Sequence, residues 1–127
     1  MSWLRRRIAE VQVAFMLLTR LPAGRLEGVA PELSAAKWAF PLAGLVVGGS
    51  LAGVYIAMNS LGLPAGLAAI LALGAGVIMT GGLHEDGLAD CADGFGGGQT
   101  KDQKIAIMKD SRVGSYGVLA LILVIAA

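Results

Sequence analysis

Charge and cysteine are both scarce in this sequence. Charged residues make up 15% of it and the formal net charge is +1, so there is no basic stripe to neutralise a nucleic-acid backbone, and nucleic acid is excluded as a partner. The one cysteine, Cys91, excludes an internal disulfide and a zinc cluster; a small packing role suits it. No cleavable secretory signal is recognisable, so the apolar segments read as permanent. At 127 residues the chain holds one domain at most, read here as a single membrane domain over 1–127. What abounds is apolar: 56% of residues are hydrophobic, 19 are glycine, and the apolar residues cluster in long runs, which is unusual for a soluble domain.

Two runs are long enough to cross a bilayer. Trp38–Met58 has 21 residues and no charge, enough for a hydrocarbon core about 30 Å thick. Trp38 and Tyr55 lie towards its opposite ends, as interfacial aromatics do. Gly44 with Gly48, and Gly49 with Gly53, form GxxxG pairs that let helices approach closely in lipid. They lack the P-loop lysine and are read as packing. A helix beginning at the candidate cap Ser34 should be kinked by Pro41; one beginning near Pro41 should not. Leu63–Leu83 is the second span, with Pro64 in its first turn and Gly81–Gly82 at its end, where the backbone can bend. Val113–Ala127 starts a third span and stops without a polar flank, which predicts a chain cut within a span of a longer protein.

The remaining segments are polar or amphipathic. Residues 1–22 combine Trp3 and Arg5, Arg6 and Arg7 with Ile8, Val11, Phe15 and Leu18 at helical spacing. This predicts an interfacial helix, its arginines in the phosphate layer, ended by Pro22 and Gly24. The first 37 residues hold six Lys or Arg, the turn at Asn59 none, and the segment after Leu83 four. The positive-inside rule then places the N-terminus and the segment 84–112 in the cytoplasm.

That segment gathers six carboxylates and four cations between two hydrophobic runs, an arrangement that suggests chemistry rather than packing. On a helix Asp86, Asp90 and Asp93, at i, i+4 and i+7, fall within about 60° of one another. A solvated acidic face is one reading. The other is a divalent cation, and all-oxygen ligands favour Mg²⁺ over zinc. Glycines 94 and 96–98 flank Phe95, where backbone amides could approach a phosphate. TKDQ at Thr100–Gln103 reads as a capping box opening a short helix to about Lys109, with Ile105 and Met108 on its docking face. Lys109, Asp110, Ser111 and Arg112 follow; arginine suits bidentate phosphate contact.

The stretches TGGLHEDGLADCADGFGGG and IMKDSRVGSYG, with FMLLTRLP at Phe15–Pro22 and FPLAGLVVG at Phe40–Gly48, resemble the signature of the cobalamin synthase family, the adenosylcobinamide-GDP ribazoletransferases. The resemblance covers most of the chain in the family's order, although family members are longer. It implies a Mg²⁺-dependent transferase of the bacterial inner membrane. Such an enzyme joins adenosylcobinamide-GDP to α-ribazole or its 5′-phosphate and releases GMP. The expected fold is all-α and integral to the membrane: an interfacial helix, two full transmembrane helices, a cytoplasmic acidic helical segment and the start of a third transmembrane helix.

Within that reading Asp86, Asp90 and Asp93 hold the metal. His84 is a candidate general base or phosphate ligand, and Glu85 a supporting group near the substrate. Lys109 and Arg112 neutralise the diphosphate, Asp110 orients Arg112 or adds a ligand, and Arg20, in the family-like TRLP, is a further phosphate contact. A homo-oligomer is left open. The competing class is a cation transporter or channel subunit with an acidic mouth; against it, neither full span contains an ionisable residue.

Overall fold

The computed structural model describes residues 3–127, and their regular structure is entirely helical. The helices are α1 (Trp3–Leu18), α2 (Leu33–Ala36), a 3-10 turn (Lys37–Ala39), α3 (Phe40–Ser60), α4 (Ala65–Thr80), α5 (Leu83–Gly97), α6 (Lys101–Met108) and α7 (Ser115–Ala126). The chain packs as two compact units, Met1–Gly82 and Leu83–Ala127. The boundary falls after Gly81 and Gly82, whose φ of 72° and 73° end α4 in the left-handed region that favours glycine.

In the first unit α1 packs on α2 and α3, and α3 on α4. The first two residues of the expected interfacial segment lie outside the described residues. α1 ends at Leu18, before Pro22, because Thr19 terminates it: its hydroxyl donates to the Phe15 carbonyl (2.8 Å) and accepts from the Leu21 amide (3.2 Å). The buried face of α1 is Ala9, Glu10, Val13 and Ala14, while Ile8, expected with Val11, Phe15 and Leu18 to face the acyl boundary, is exposed and the other three are half-buried. Small residues won the interior because they let backbones approach. The buried apolar residues of this unit are Ala9, Ala14, Ala36, Ala39, Ala43, Ala68, Ala72 and Val13.

Leu45, Ile56, Ile70 and Ile78 are 62–77% exposed. A buried methyl(ene) is worth about 0.8 kcal/mol, so this alanine seam is a weak hydrophobic drive in water. Small residues inside and large apolar ones outside are the arrangement that lipid favours.

The run from Leu33 to Ser60 is helical over 28 residues and is long and apolar enough to cross a membrane; 11% of its most apolar stretch is buried. Ser34 is not its cap. Glu32 is the N-cap residue, and Ser34 Oγ donates to Glu32 Oε2 (3.1 Å). The 3-10 turn lies just before Phe40–Pro41, so the α ladder is interrupted where proline has no amide to give. α4 has 16 residues and α7 has 12, about 24 and 18 Å, each short of a bilayer core by itself. Pro64 and Gly81 set the bounds of α4 inside the expected 63–83.

Glu10 organises the polar end of this unit. It is 1% exposed and accepts from Arg6 Nε (3.2 Å), Arg7 Nη1 (2.7 Å) and Trp38 Nε1 (2.7 Å). The Trp38 indole, then the two arginines, hold its carboxyl below the usual range. Arg7 also stacks over the rings of Trp3 and Trp38, at 5.7 and 5.5 Å. Arg6 and Arg7 thus pair with Glu10 while their side chains stay 68% and 43% exposed.

In the second unit α6 and α7 both pack on α5. The capping box of α6 forms as expected: Thr100 Oγ1 accepts from the Gln103 amide (3.3 Å), and Gln103 Oε1 accepts from the Thr100 amide (3.1 Å). Of the expected Ile105 and Met108, Met108 lies against Gly94 of α5, together with Ile107 against Gly97 and Lys104 against Gly98, while Ile105 is 39% exposed.

Candidate active site

α5 carries the acidic segment. Its first turn holds Glu85 and Asp86, where the positive end of the helix dipole favours carboxylates. Asp86 is exposed and Asp90 half-buried, one turn apart, and neither side chain has a hydrogen-bond or ion-pair partner among the described residues. Like charges at i, i+4 cost a helix about 0.2–0.5 kcal/mol, a penalty that no ion pair among the described residues offsets here. His84 is exposed on the same turn. Glu85 has a buried Oε2 with no hydrogen-bond partner among the described residues.

Asp93 has a different situation. It is 7% exposed, and both its oxygens accept backbone N–H groups at the start of α7. Gly114 N donates to Oδ2 at 2.6 Å, and Gly117 N to Oδ1 at 2.8 Å. These are charge-assisted bonds to a helix N-terminus, the place where a carboxylate is most stabilised. The spacing suggested one face of three equivalent carboxylates. The structure divides them, because only Asp93 meets amides brought in from α7.

The loop 109–114 joins α6 to α7. Within it the Arg112 amide and Nε donate to Asp110 Oδ1 at 3.0 and 3.1 Å, and Nη2 donates to Oδ2 at 2.7 Å. The Arg112 guanidinium, then its backbone amide, hold the Asp110 carboxyl down at about 2, and the same bonds raise Arg112. Arg112 keeps 87% of its side chain exposed, so water screens the pair and the guanidinium stays open on its outer edge. A cleft of about 520 Å³ lies here, lined by Asp93, Ile107, Asp110, Arg112, Ser115 and Tyr116 among others. Lys109 caps α6 and is exposed.

His84, Glu85, Asp86, Asp90 and Asp93 thus share α5, while Lys109, Asp110 and Arg112 share the loop that Asp93 ties to it. Arg20 belongs to the first unit, where its amide donates to the Met79 carbonyl (2.7 Å) and its guanidinium lies over Gly81 at the C-terminal end of α4. The glycine run is not a phosphate cradle. α5 continues through Gly97, and the Gly98 amide donates to the Gly94 carbonyl (3.1 Å). A Cβ on Gly94 would meet Met108 at 2.6 Å, and one on Gly96 the Tyr116 ring at 2.5 Å, so these glycines admit α6 and α7. Phe95 carries Lys104 Nζ 4.9 Å from its ring centre.

No three His, Cys, Asp or Glu side chains among the described residues converge as a metal cage. Asp86 and Asp90 lie one turn apart with no side-chain partner among the described residues, whereas both oxygens of Asp93 already accept backbone amides. Two carboxylates suffice for Mg²⁺, which fills its shell with water and substrate phosphates.

Sequence reasoning missed Gly114, Gly117, Tyr116 and Glu10. Two glycines three apart at the start of an apolar helix were the available signal of a close approach; nothing local marks Glu10.

A family profile described as cobalamin-5-phosphate synthase matches residues 10–127. Three curated relatives carry the name adenosylcobinamide-GDP ribazoletransferase. The protein of Bradyrhizobium diazoefficiens is 50% identical over 121 residues, 94% of this chain and 46% of that protein. That of Xanthobacter autotrophicus is 51% identical over 123 residues, 92% of this chain and 46% of its own. That of Shewanella sp. (strain ANA-3) is 47% identical over 125 residues, 98% and 47% respectively. The chain therefore spans about half the length of the curated relatives it matches. No solved structure matches. With the profile running through the acidic helix, the loop and α7 without a break, the chain belongs to the cobalamin-5-phosphate synthase family.

Proposed function

We propose that this chain supplies the metal- and diphosphate-binding part of a membrane-embedded adenosylcobinamide-GDP ribazoletransferase. The reaction is attack by a ribose hydroxyl that α-ribazole and its 5′-phosphate both keep free, hence not the 5′ oxygen, on the corrinoid-side phosphorus of adenosylcobinamide-GDP, with the hydroxyl proton passing to a base. A new P–O bond forms and the diphosphate bond to GMP breaks. The observation that carries this reading is the pair of carboxylates on α5, Asp86 and Asp90, that have no partner among the described residues, within a chain of this family. Magnesium, when bound, supplies charge neutralisation to the diphosphate.

Asp86 and Asp90 would hold the ion, and Glu85, on the same turn with one buried oxygen that has no hydrogen-bond partner among the described residues, would be a supporting group for the substrate. His84, exposed on the same turn, accepts the proton of a hydroxyl nucleophile. Lys109 and Arg112 bind phosphate oxygens; Arg112 is the stronger because Asp110 fixes its fork while leaving its outer edge open. Arg20 is a phosphate contact only if substrate reaches the end of α4. The active-site segment faces the cytoplasm, where nucleotides are found, and the lipid bilayer takes the exposed apolar faces of α3 and α4.

The test uses the full-length protein in liposomes with adenosylcobinamide-GDP and α-ribazole, with and without Mg²⁺. GMP and joined corrinoid should appear in equal yield, only with Mg²⁺, and Asp90→Ala should abolish both. GMP without joined product would point to a hydrolase. Neither product from folded protein, together with Mg²⁺ flux that ignores nucleotide, would replace this reading with a transporter.

A further inference from the structure

The carboxylate at position 93 is shared between two explanations that make different demands on its surroundings. A metal ligand needs an open lone pair directed at a cavity where water and phosphate can reach. A latch needs donors already in place on both oxygens. Asp93 is 7% exposed, and each of its oxygens takes a backbone N–H at 2.6–2.8 Å. The donors come from residues 21 and 24 positions away, so the bonds join α5 to a separate helix rather than stabilising α5 itself.

The two donors are glycines for a steric reason. A Cβ on Gly114 would lie 2.5 Å from Asp93 Oδ1, and one on Gly117 would lie 2.5 Å from Oδ2 and 3.0 Å from the Ala89 carbonyl oxygen. Their φ values carry no such demand: neither is in the left-handed region, and Gly114 has φ −92°. Side chains are therefore excluded by the carboxylate and not by backbone strain. By contrast Asp86 and Asp90, on the same helix, have no side-chain hydrogen-bond or ion-pair partner among the described residues.

The consequence falls on Arg112. The loop 109–114 is held at its start by the Lys109 amide, which donates to the Ile105 carbonyl (3.1 Å), and at its end by Asp93 through Gly114. Arg112 lies two residues before that second anchor and is tied to Asp110 within the loop. Freeing Gly114 lets the Asp110–Arg112 unit move as one body along the cleft.

We propose that Asp93 is a positioning residue and not a metal ligand: it latches the start of α7 to α5 and thereby fixes Arg112 at the cleft for the diphosphate. This rests on the transferase reading only in what Arg112 binds; the latch itself does not depend on it.

The test is made on the full-length protein in liposomes with Asp93→Asn, which keeps the shape and removes the charge, and Gly114→Ala, which keeps the carboxylate and crowds it. Amide exchange at Gly114 and Gly117 should accelerate about tenfold or more in both, as loss of a bond to a charged acceptor implies. KM for adenosylcobinamide-GDP should rise about tenfold on the same grounds, while the Mg²⁺ concentration giving half-maximal rate stays at the wild-type value. Asp90→Asn should do the reverse and move the Mg²⁺ requirement. Adding Asp93→Asn to Arg112→Ala should raise KM little further, because the residue acts through Arg112. A shift in Mg²⁺ requirement for Asp93→Asn equal to that of Asp90→Asn, or exchange rates unchanged in both variants, overturns the proposal. If the wild-type protein proves inactive, the functional reading fails, and the exchange rates still decide whether Asp93 is the latch.

Discussion

Replacing Gly117 with alanine would put a methyl group 2.5 Å from Asp93 Oδ2 and 3.0 Å from the Ala89 carbonyl oxygen. The second contact is the harder one, because it is backbone on a neighbouring helix and cannot rotate away. α7 must back off from α5, and the 2.8 Å bond from the Gly117 amide to Asp93 must lengthen with it. Overpacking costs about 1–3 kcal/mol and a bond to a charged acceptor about 1.5–3 kcal/mol, whereas alanine's better helix propensity returns at most about 1 kcal/mol. The net should be a loss of about 3 kcal/mol. Gly87→Ala is the matched control: it lies in α5 with nothing within 4 Å of its Cβ position, so only the propensity gain applies. Thermal unfolding of the full-length protein in nanodiscs should rank Gly87→Ala above wild type and Gly117→Ala below it. In an Asp93→Ala background the carboxylate collision is gone, and Gly117→Ala should cost about half as much. Equal midpoints for the two alanine variants would refute the close approach of α5 and α7.

Gly81→Ala should destabilise the first unit by about 1–2 kcal/mol from its left-handed backbone alone. Arg20→Ala should then recover only the further loss caused by collision with the Arg20 guanidinium, again read from unfolding midpoints. Thr100→Ala should remove one capping bond of α6 at about 1 kcal/mol, seen as faster amide exchange at Gln103 with the α5–α7 contact unaffected. The Glu10 carboxyl is lowered in the fold, so its stabilising contribution is complete above the ordinary value of 4.5 and is lost as pH falls through the lower folded value. Trp38 emission, in a Trp3→Phe background, should therefore shift at a pH below 4.5, and Glu10→Gln should abolish that transition.

The features legible in the sequence are those set by neighbours in the chain. Uncharged runs around Trp38–Met58 and Leu63–Leu83 dictate apolar helices, because each backbone amide finds its partner four residues away whatever lies outside. The box at Thr100–Gln103 closes on itself within four residues, so its spacing sufficed to predict it. The acidic stretch had to be one helix for the same reason, and Asp86 and Asp90 emerge on it a turn apart.

Only tertiary packing could assign the partners. Asp93 carries the same side chain as Asp86 and Asp90, yet its fate was set by two amides arriving from α7, 21 and 24 residues on. Glu10 became the hub of its unit because Trp38, 28 residues away, brought its indole within 2.7 Å. The glycines of α5 read as a phosphate loop from composition alone; they turned out to be the spaces that Met108 and Tyr116 occupy. Periodicity fixes which side of a helix a residue faces. What stands on that side, whether amide, arginine, neighbouring helix or open water, decides whether a carboxylate is a latch, a structural hub or a free ligand.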